Sequence, residues 1–171
     1  MNIPLSSYPR IVIIGGGFGG VSLAKKLSKQ EVQVVLIDKN NYHTFQPLLY
    51  QVSTGGLEPD SIAYPLRKVL IGYDNFYFRL AEVEHIDAPG KKVNTNIGDI
   101  SYDYLVVATG SETNFFGNKE IEEHAMSMKS IPQSLNLRSL ILENFEQALL
   151  TDVYHERDAL MNFVIVGGGP T

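Results

Sequence analysis

Three glycines near the start of the chain, Gly15, Gly17 and Gly20, are spaced as G-x-G-x-x-G, and an acidic residue, Asp38, follows 18 positions after Gly20. Gly15 allows a tight turn out of a strand, Gly17 lets a phosphate approach the main chain, and Gly20 lets a helix pack closely on a sheet. The carboxylate of Asp38 can accept hydrogen bonds from a ribose diol. The spacing therefore predicts a site in which main-chain amides bind the phosphates of a dinucleotide.

The segments around these glycines have the patterns of a strand, a helix and a second strand. Residues 11–14 are a continuous β-branched run, which is typical of a parallel strand buried on both faces. Apolar residues recur at helical spacing from Val21 to Leu27, and a second apolar run, residues 32–37, ends at Asp38. This order predicts a Rossmann-like α/β domain with a parallel sheet. Because the second strand ends in an acid rather than an arginine, FAD or NAD is favoured over NADP.

The middle of the chain departs from a simple repeat of strands and helices. A short helix is predicted within residues 62–70, with Pro65 near its start. Two strands follow, joined by a turn at residues 88–90, which read Ala-Pro-Gly. Residues 105–107 predict a buried return strand that ends in Ala-Thr-Gly at residues 108–110. The pattern indicates a parallel sheet interrupted by an antiparallel β excursion.

The composition excludes several classes of protein. The chain has 171 residues, no cysteine and a formal charge of -5, and its lysines and arginines are scattered. Disulfide frameworks, thiolate nucleophiles and cysteine-based metal sites are therefore excluded, and a nucleic-acid partner is disfavoured. The four histidines are too dispersed to predict a zinc cluster, so no metal site is predicted. No acid–base dyad or nucleophile stands out, and no catalytic residue is assigned.

The end of the chain repeats the pattern of a strand followed by glycines. Residues 163–166 are an apolar run that predicts a strand, and Gly167 and Gly169 follow it. The third glycine of the motif would fall one position beyond Thr171. The pattern predicts the first strand of a second, truncated Rossmann domain.

A long amphipathic helix is predicted before this second motif. Ser130 and Gln133 have the spacing of a capping box, and apolar residues recur at helical spacing from Leu137 to Leu149. We interpret this helix as a connection between two nucleotide-binding domains. A helix lying on a membrane surface is the alternative, and it is disfavoured because acidic residues outnumber basic ones on the polar positions.

Four stretches of the sequence resemble one family: VIIGGGFGGVSLAKKL, LIDKNNYHTFQPLLYQVSTGGL, YDYLVVATGSETNFFG and FVIVGGGPT. They are similar to the FAD-binding half of flavoprotein oxidoreductases with two dinucleotide-binding domains, and more closely to type II NADH:quinone oxidoreductases. The resemblance implies an FAD-binding domain over residues 1–117, a connecting helical segment over residues 118–162 and the start of an NADH-binding domain over residues 163–171. The sequence is accordingly expected to be an N-terminal fragment of a longer enzyme.

The resemblance also implies roles for individual residues. The first glycine loop would bind the pyrophosphate of FAD, Asp38 and its neighbour Lys39 the adenosine ribose, and the backbone at Val83 the adenine. The stretch that begins at Thr44 would pass the isoalloxazine ring, the Ala-Thr-Gly segment would lie near the flavin nucleotide, and the second glycine loop would bind NADH. The implied cofactor-binding residues are Gly15, Gly17, Phe18, Gly19, Gly20, Asp38, Lys39, Thr44, Phe45, Gln46, Pro47, Leu48, Val83, Ala108, Thr109, Gly110, Gly167 and Gly169.

The activity implied by the resemblance is transfer of a hydride from NADH to FAD and of two electrons from reduced FAD to a membrane quinone. The longer protein would contact the cytoplasmic face of the inner membrane through a C-terminal part outside this sequence, with a homodimer as a further possibility. The chain by itself is expected to be inactive and to retain little flavin.

Two other functions stay open. Another flavoprotein reductase, such as a ferredoxin or rubredoxin reductase, would share the first glycine loop and the Ala-Thr-Gly segment, although the stretch NYHTFQPLLYQVSTG argues against it. A nucleotide-binding module without catalytic activity is the other alternative. Disulfide reductases and sulfide:quinone oxidoreductases are disfavoured because both use cysteines that this chain lacks.

Overall fold

The computed structural model describes residues 1–167. Within these residues the chain forms two compact units: residues 1–43 with 63–111, and residues 44–62 with 112–167. The strands are β1 (Arg10–Ile14), β2 (Gln33–Asp38), β3 (Tyr42–Thr44), β4 (Ala63–Pro65), β5 (Phe76–Leu80), β6 (Val83–Asp87), β7 (Lys92–Thr95), β8 (Ile100–Ser101) and β9 (Tyr104–Val107). The α-helices are α1 (Phe18–Leu27), α2 (Leu49–Ser53), α3 (Leu66–Val69), α4 (Lys119–His124), α5 (Ile131–Ala148) and α6 (Tyr154–Met161). Single turns of 3-10 helix span Gln46–Leu48 and Pro59–Ser61.

The first unit is built on a parallel four-stranded sheet in the order β5-β2-β1-β9. β1 pairs with β2 on one side and with β9 on the other, so Ile13 lies between Leu36 and Val106. The apolar runs of β1 and β2 are buried, as the sequence predicts for central parallel strands. The carboxyl ends of these strands therefore meet at one edge of the sheet, which brings the residues that follow them together.

Both faces of this sheet are covered. On one face, Ile13 and Leu36 pack in a cluster with residues of α1 and with Leu66 of α3. On the other face, Val12 and Val35 pack in a cluster with residues of the antiparallel three-stranded sheet β6-β7-β8. Because burial of each such side chain contributes about 1.5–3 kcal/mol, these two layers hold the ends of β1 and β2 in place.

The antiparallel excursion contains the predicted turn. β6 and β7 pair in antiparallel register, with Asp87 opposite Lys92, and residues 88–91 join them. The Oδ1 atom of Asp87 accepts a hydrogen bond from the N–H of Gly90 at 2.9 Å, a common way for aspartate to close a turn. The predicted fold, a Rossmann-like parallel sheet with an antiparallel β excursion, is confirmed.

The helix predicted within residues 62–70 is wrong in its first half. Strand β4 occupies residues 63–65, and only one turn of helix, α3, follows from Leu66. Pro65 has φ -57° and ψ 124°, an extended conformation at the helix start. Proline also disfavours helical geometry at the residue before it, so the helix begins after Pro65 rather than around it.

The return strand is present as β9, but it is not buried as predicted. β9 lies at the end of the strand order, and 63% of Tyr104 and 60% of Val107 are exposed. Among the described residues, β1 alone pairs with it within the sheet. An apolar run predicts a strand but does not indicate how many neighbours the strand has, so the sequence pattern could not distinguish an edge strand from a central one.

The part of the second unit that follows residue 112 contains helices α4, α5 and α6. Helix α5 begins at the predicted capping box: the Ser130 hydroxyl accepts the N–H of Gln133, and the Gln133 side chain accepts the N–H of Ser130 at 3.1 Å. Helix α5 packs against α2 and α6. In the part of the chain that the structure describes, no helix is both long and apolar enough to cross a bilayer.

The strand predicted over residues 163–166 is absent, and the segment has no regular secondary structure. The ring of Phe163 packs edge-on against Phe145 of α5, with centroids 6.0 Å apart, while 86% of Val164 is exposed. A strand requires hydrogen bonds to a neighbouring strand, and the described residues provide none to this segment. Gly167 has a positive φ of 108°, and Gly169 lies outside the described residues.

Candidate functional site

The first glycine loop connects β1 to α1 through a turn that has no room for side chains at two of its glycines. Gly15 has φ 106°, a conformation that L residues rarely adopt, and its N–H donates to the carbonyl of Ile37 at 2.8 Å. A Cβ on Gly15 would overlap the carbonyl oxygen of Ala108, and a Cβ on Gly20 would overlap the carbonyl oxygen of Gly15. As predicted, Gly15 therefore forms a turn that other residues rarely adopt, and Gly20 allows the helix to pack closely on the strand.

Gly17 has the opposite environment, because a Cβ there would meet no atom within 4 Å among the residues that the structure describes. Gly17 is the residue at which α1 starts, in an extended conformation with φ -73° and ψ -168°. No side chain of the described residues caps this helix start, and its first turn has no acidic residue. The open space therefore faces a helix N-terminus, whose partial positive charge and main-chain N–H groups suit an anion.

Asp38 lies beside this loop, at the end of β2. Its Oδ2 accepts the N–H of Gly16 at 2.5 Å, and its Oδ1 accepts the N–H of Asn40 at 2.7 Å. Its own carbonyl accepts the N–H of Ala81 at 3.0 Å, which connects the acid to the residues that precede β6. A carboxylate offers about four acceptor positions, so two remain for a sugar. The neighbouring Lys39 is exposed.

The Ala-Thr-Gly segment after β9 meets the same turn. The N–H of Ala108 donates to the carbonyl of Ile14 at 2.8 Å, and the carbonyl of Ala108 contacts Gly15. Gly110 has φ 77° and open space around it among the residues described here. The structure thus brings together the glycine loop, Asp38 and the segment at 108–110, because the carboxyl ends of three parallel strands meet at one edge of the sheet.

The other predicted site residues lie in different environments. Val83 is half-buried at the start of β6 and contributes to the core beneath the sheet. Phe45, 44% exposed, donates its N–H to the carbonyl of Ile62 at 2.8 Å, and the 3-10 turn Gln46–Leu48 follows. Phe45 and this turn belong to the second unit. Their role at a flavin ring stays a prediction.

Three residues at the loop were missed by sequence reasoning: Gly16, His43 and Leu66. His43 Nδ1 lies 2.9 Å from the carbonyl oxygen of Gly16, and its ring packs edge-on against Phe18 with centroids 5.0 Å apart. A Cβ on Gly16 would lie 2.6 Å from Leu66 Cδ1. The G-x-G-x-x-G pattern leaves position 16 unspecified, and no spacing in the sequence connects it to residues 43 and 66. Among residues 1–167, no group of three or more histidine or acidic side chains could hold a metal ion.

Comparison with known proteins identifies the family of this chain. Residues 9–171 match the family model described as pyridine nucleotide-disulphide oxidoreductase. The chain is 44% identical over 166 residues to the type II NADH:quinone oxidoreductase Ndh of Mycobacterium tuberculosis, an alignment that covers 95% of this chain and 36% of that protein. It is 34% identical to the mitochondrial external alternative NAD(P)H-ubiquinone oxidoreductase B4 of Arabidopsis thaliana, covering 95% of this chain and 30% of that protein. The chain therefore spans about a third of the length of these curated relatives.

Solved structures of quinone oxidoreductases are also similar to this chain. The structure of NDH2 from Plasmodium falciparum in complex with NADH has a TM-score of 0.78 and 26% identity, over 87% of this chain and 32% of that one. The sulfide:quinone oxidoreductase from Aquifex aeolicus has a TM-score of 0.72 and 30% identity, over 81% of this chain and 32% of that one. The resemblance to type II NADH:quinone oxidoreductases is confirmed, and the chain belongs to the pyridine nucleotide-disulphide oxidoreductase family.

Proposed function

We propose that this chain provides the FAD-binding part of an NADH:quinone oxidoreductase. The observation that supports this proposal most strongly is the arrangement of Asp38 at the first glycine loop, beside the open space at Gly17. The identity to curated NADH:quinone oxidoreductases over nearly the whole of this chain supports the substrate class.

The loop fits a dinucleotide in each of its parts. The pyrophosphate of FAD would rest against the main chain at Gly17, Gly19 and Gly20, where a helix N-terminus favours negative charge. The free acceptor positions of Asp38 would bind the adenosine ribose, with Lys39 at its side. This arrangement would give both the pyrophosphate and the adenosine ribose a partner without any catalytic side chain.

The remaining contacts are proposed from the resemblance to the family rather than from the geometry. The backbone at Val83 would contact the adenine, and the segment at 108–110 would lie near the flavin nucleotide. The stretch from Thr44 through Leu48 would pass the isoalloxazine ring. Gly167 and Gly169 would belong to the NADH site, and we retain residues 1–117, 118–162 and 163–171 as the proposed FAD-binding, connecting and NADH-binding regions.

The chemistry of the reaction would come from the cofactor. Bound FAD would accept a hydride from NADH and pass two electrons to a quinone. The residues of this chain would bind and orient FAD, which is consistent with the absence of an evident acid–base pair in the sequence. We further propose that the enzyme acts at the cytoplasmic face of the inner membrane, with a membrane surface as partner and a homodimer as its assembly.

Two alternatives are weaker. An NADH:rubredoxin oxidoreductase from Clostridium acetobutylicum shares the fold with a TM-score of 0.61 but is only 22% identical. That likeness concerns the fold alone, whereas the 44% identity to an NADH:quinone oxidoreductase extends over 95% of this chain. A nucleotide-binding module without activity is distinguished from both enzymes by whether the longer protein oxidises NADH with a soluble quinone.

Titration with FAD tests the proposal directly. The purified chain should contain little flavin, and added FAD should bind saturably at one site, measured by quenching of flavin fluorescence. Asp38→Ala should weaken binding at least about tenfold, because charge-assisted hydrogen bonds to the ribose are lost. Asp74→Ala, at an exposed aspartate far along the chain, is the matched control and should bind as wild type. Equal affinity of the Asp38 and Asp74 variants would contradict the proposed site.

A further inference from the structure

Gly16 is held at both of its polar main-chain groups. Its N–H donates to Asp38 Oδ2 at 2.5 Å, and its carbonyl oxygen lies 2.9 Å from His43 Nδ1. The side chain of Leu66 fills the place where a Cβ would stand. The residue between the two glycines of the motif is therefore fixed from three sides, while Gly17 next to it faces open space.

Fixing the carbonyl of Gly16 also fixes the N–H of Gly17, because the two groups belong to the same peptide bond. A trans peptide is planar, and its C=O and N–H point in opposite directions. The Gly17 N–H therefore points away from His43. Since a carbonyl oxygen can only accept, the Nδ1 atom of His43 must carry the proton of this hydrogen bond.

The position of His43 is determined by two further features. It is the middle residue of β3, which pairs with β4, so its backbone is held by a short sheet. Its half-buried ring packs edge-on against Phe18, the first residue of α1, at an interplanar angle of 84°. The ring thus contacts both the loop and the helix start that would receive the phosphates.

We propose that His43 is a positioning residue for the pyrophosphate of FAD: by donating to the carbonyl of Gly16, it aims the N–H of Gly17 at the phosphate. The inference rests on the proposed function for the identity of the ligand. A positioning role for His43 differs from a role in core packing, because packing depends on the ring whereas positioning depends on the donor at Nδ1.

Two variants separate the donor from the ring. His43→Asn keeps a donor nitrogen close to the position of Nδ1 but loses the ring. His43→Phe keeps an aromatic edge against Phe18 but loses the donor. His155→Phe, at an exposed histidine of α6, is the matched control. Thermal unfolding of each variant shows whether it folds, and if His43→Phe does not fold, His43→Gln replaces it, because its amide nitrogen lies one bond too far out.

Amide hydrogen exchange of residues 15–20 in the chain without FAD tests whether His43 holds the loop. We expect faster exchange in His43→Phe and rates near wild type in His43→Asn and His155→Phe. Unchanged exchange in His43→Phe would overturn the inference. An equal increase in both His43 variants would also overturn it, since the ring rather than the donor would then hold the loop.

Titration with FAD then tests the assigned ligand. We expect the dissociation constant to rise about three- to tenfold in His43→Phe, the range for a carbonyl that loses its donor, and less than about twofold in His43→Asn. Equal affinity of wild type and His43→Phe would refute the positioning role. If wild type itself shows no saturable binding, the proposed function and the assignment of FAD fail, whereas the exchange experiment still decides whether His43 orients the loop.

Discussion

Gly20, in the first turn of α1, lies so close to the carbonyl oxygen of Gly15 at the end of β1 that no Cβ fits between them. The atom that Gly20 contacts is the main-chain carbonyl oxygen of Gly15, which cannot move aside as a flexible side chain can. The separation between α1 and the sheet is therefore set by the absence of a side chain at position 20.

A substitution of alanine at this position should separate the helix from the strand. We expect Gly20→Ala to lower the free energy of unfolding by about 1–3 kcal/mol, the range for overpacking in a tight interior. Urea denaturation followed by circular dichroism measures the change. Gly19→Ala is the control, since its Cβ would lie 4.0 Å from that of Ala108, and alanine there should stabilise the helix by up to about 1 kcal/mol. Equal stabilities of the two variants would contradict the packing argument.

Gly17→Ala should have the opposite profile. The new methyl group would enter open space and the backbone φ of -73° suits alanine, so the free energy of unfolding should change by less than about 0.5 kcal/mol. The same methyl group would stand where a phosphate must approach, and FAD affinity should fall about tenfold, or about 1.4 kcal/mol. Denaturation and FAD titration of the same sample check both expectations. Retained affinity would show that the phosphates lie elsewhere.

The capping box at the start of α5 makes a prediction for the second unit. Ser130→Ala removes the acceptor of the Gln133 N–H and should cost about 1 kcal/mol of stability. Ser130→Asp should restore most of the loss, because aspartate accepts the same hydrogen bond. Ser139→Ala, on the exposed surface of the same helix, serves as the comparison and should be neutral or slightly stabilising. The denaturant midpoints of the three variants test this prediction, and equal midpoints for Ser130→Ala and Ser139→Ala would contradict it.

The ion pair between Arg138 and Glu58 should contribute little. Its Nη1 and Oε1 atoms are 3.6 Å apart, and the two side chains are 33% and 69% exposed, so water screens their attraction. Glu58→Gln should change the free energy of unfolding by less than about 0.5 kcal/mol. A double-mutant cycle with Arg138→Gln measures the coupling, and a value above about 1 kcal/mol would refute this expectation.

Much of the fold followed from local patterns in the sequence. The β-branched runs of β1 and β2, the glycine spacing and the Ser130 capping box each define an element by themselves, and the carboxyl ends of parallel strands must share an edge of the sheet. The sequence therefore predicts the position of Asp38 at the glycine loop.

The parts that could not be predicted depend on contacts between distant residues. Whether residues 163–166 form a strand depends on a neighbouring strand, and whether β9 is buried depends on what lies beyond it. The hydrogen bond from His43 to Gly16 depends on how β3 is held by β4. None of these relationships leaves a periodic signal in the chain.

The contact between Gly15 and Ala108 joins the beginning of the first unit to nearly its end. Ala108 contacts the turn only after β9 has paired with β1. This pairing brings together two strands that are about 90 residues apart in the sequence. Such long-range parallel pairing is slow compared with the formation of local structure. During synthesis on the ribosome, the growing chain would contain the whole G-x-G-x-x-G motif long before Ala108 contacts Gly15. The proposed phosphate site would therefore be complete only after β9 has paired with β1.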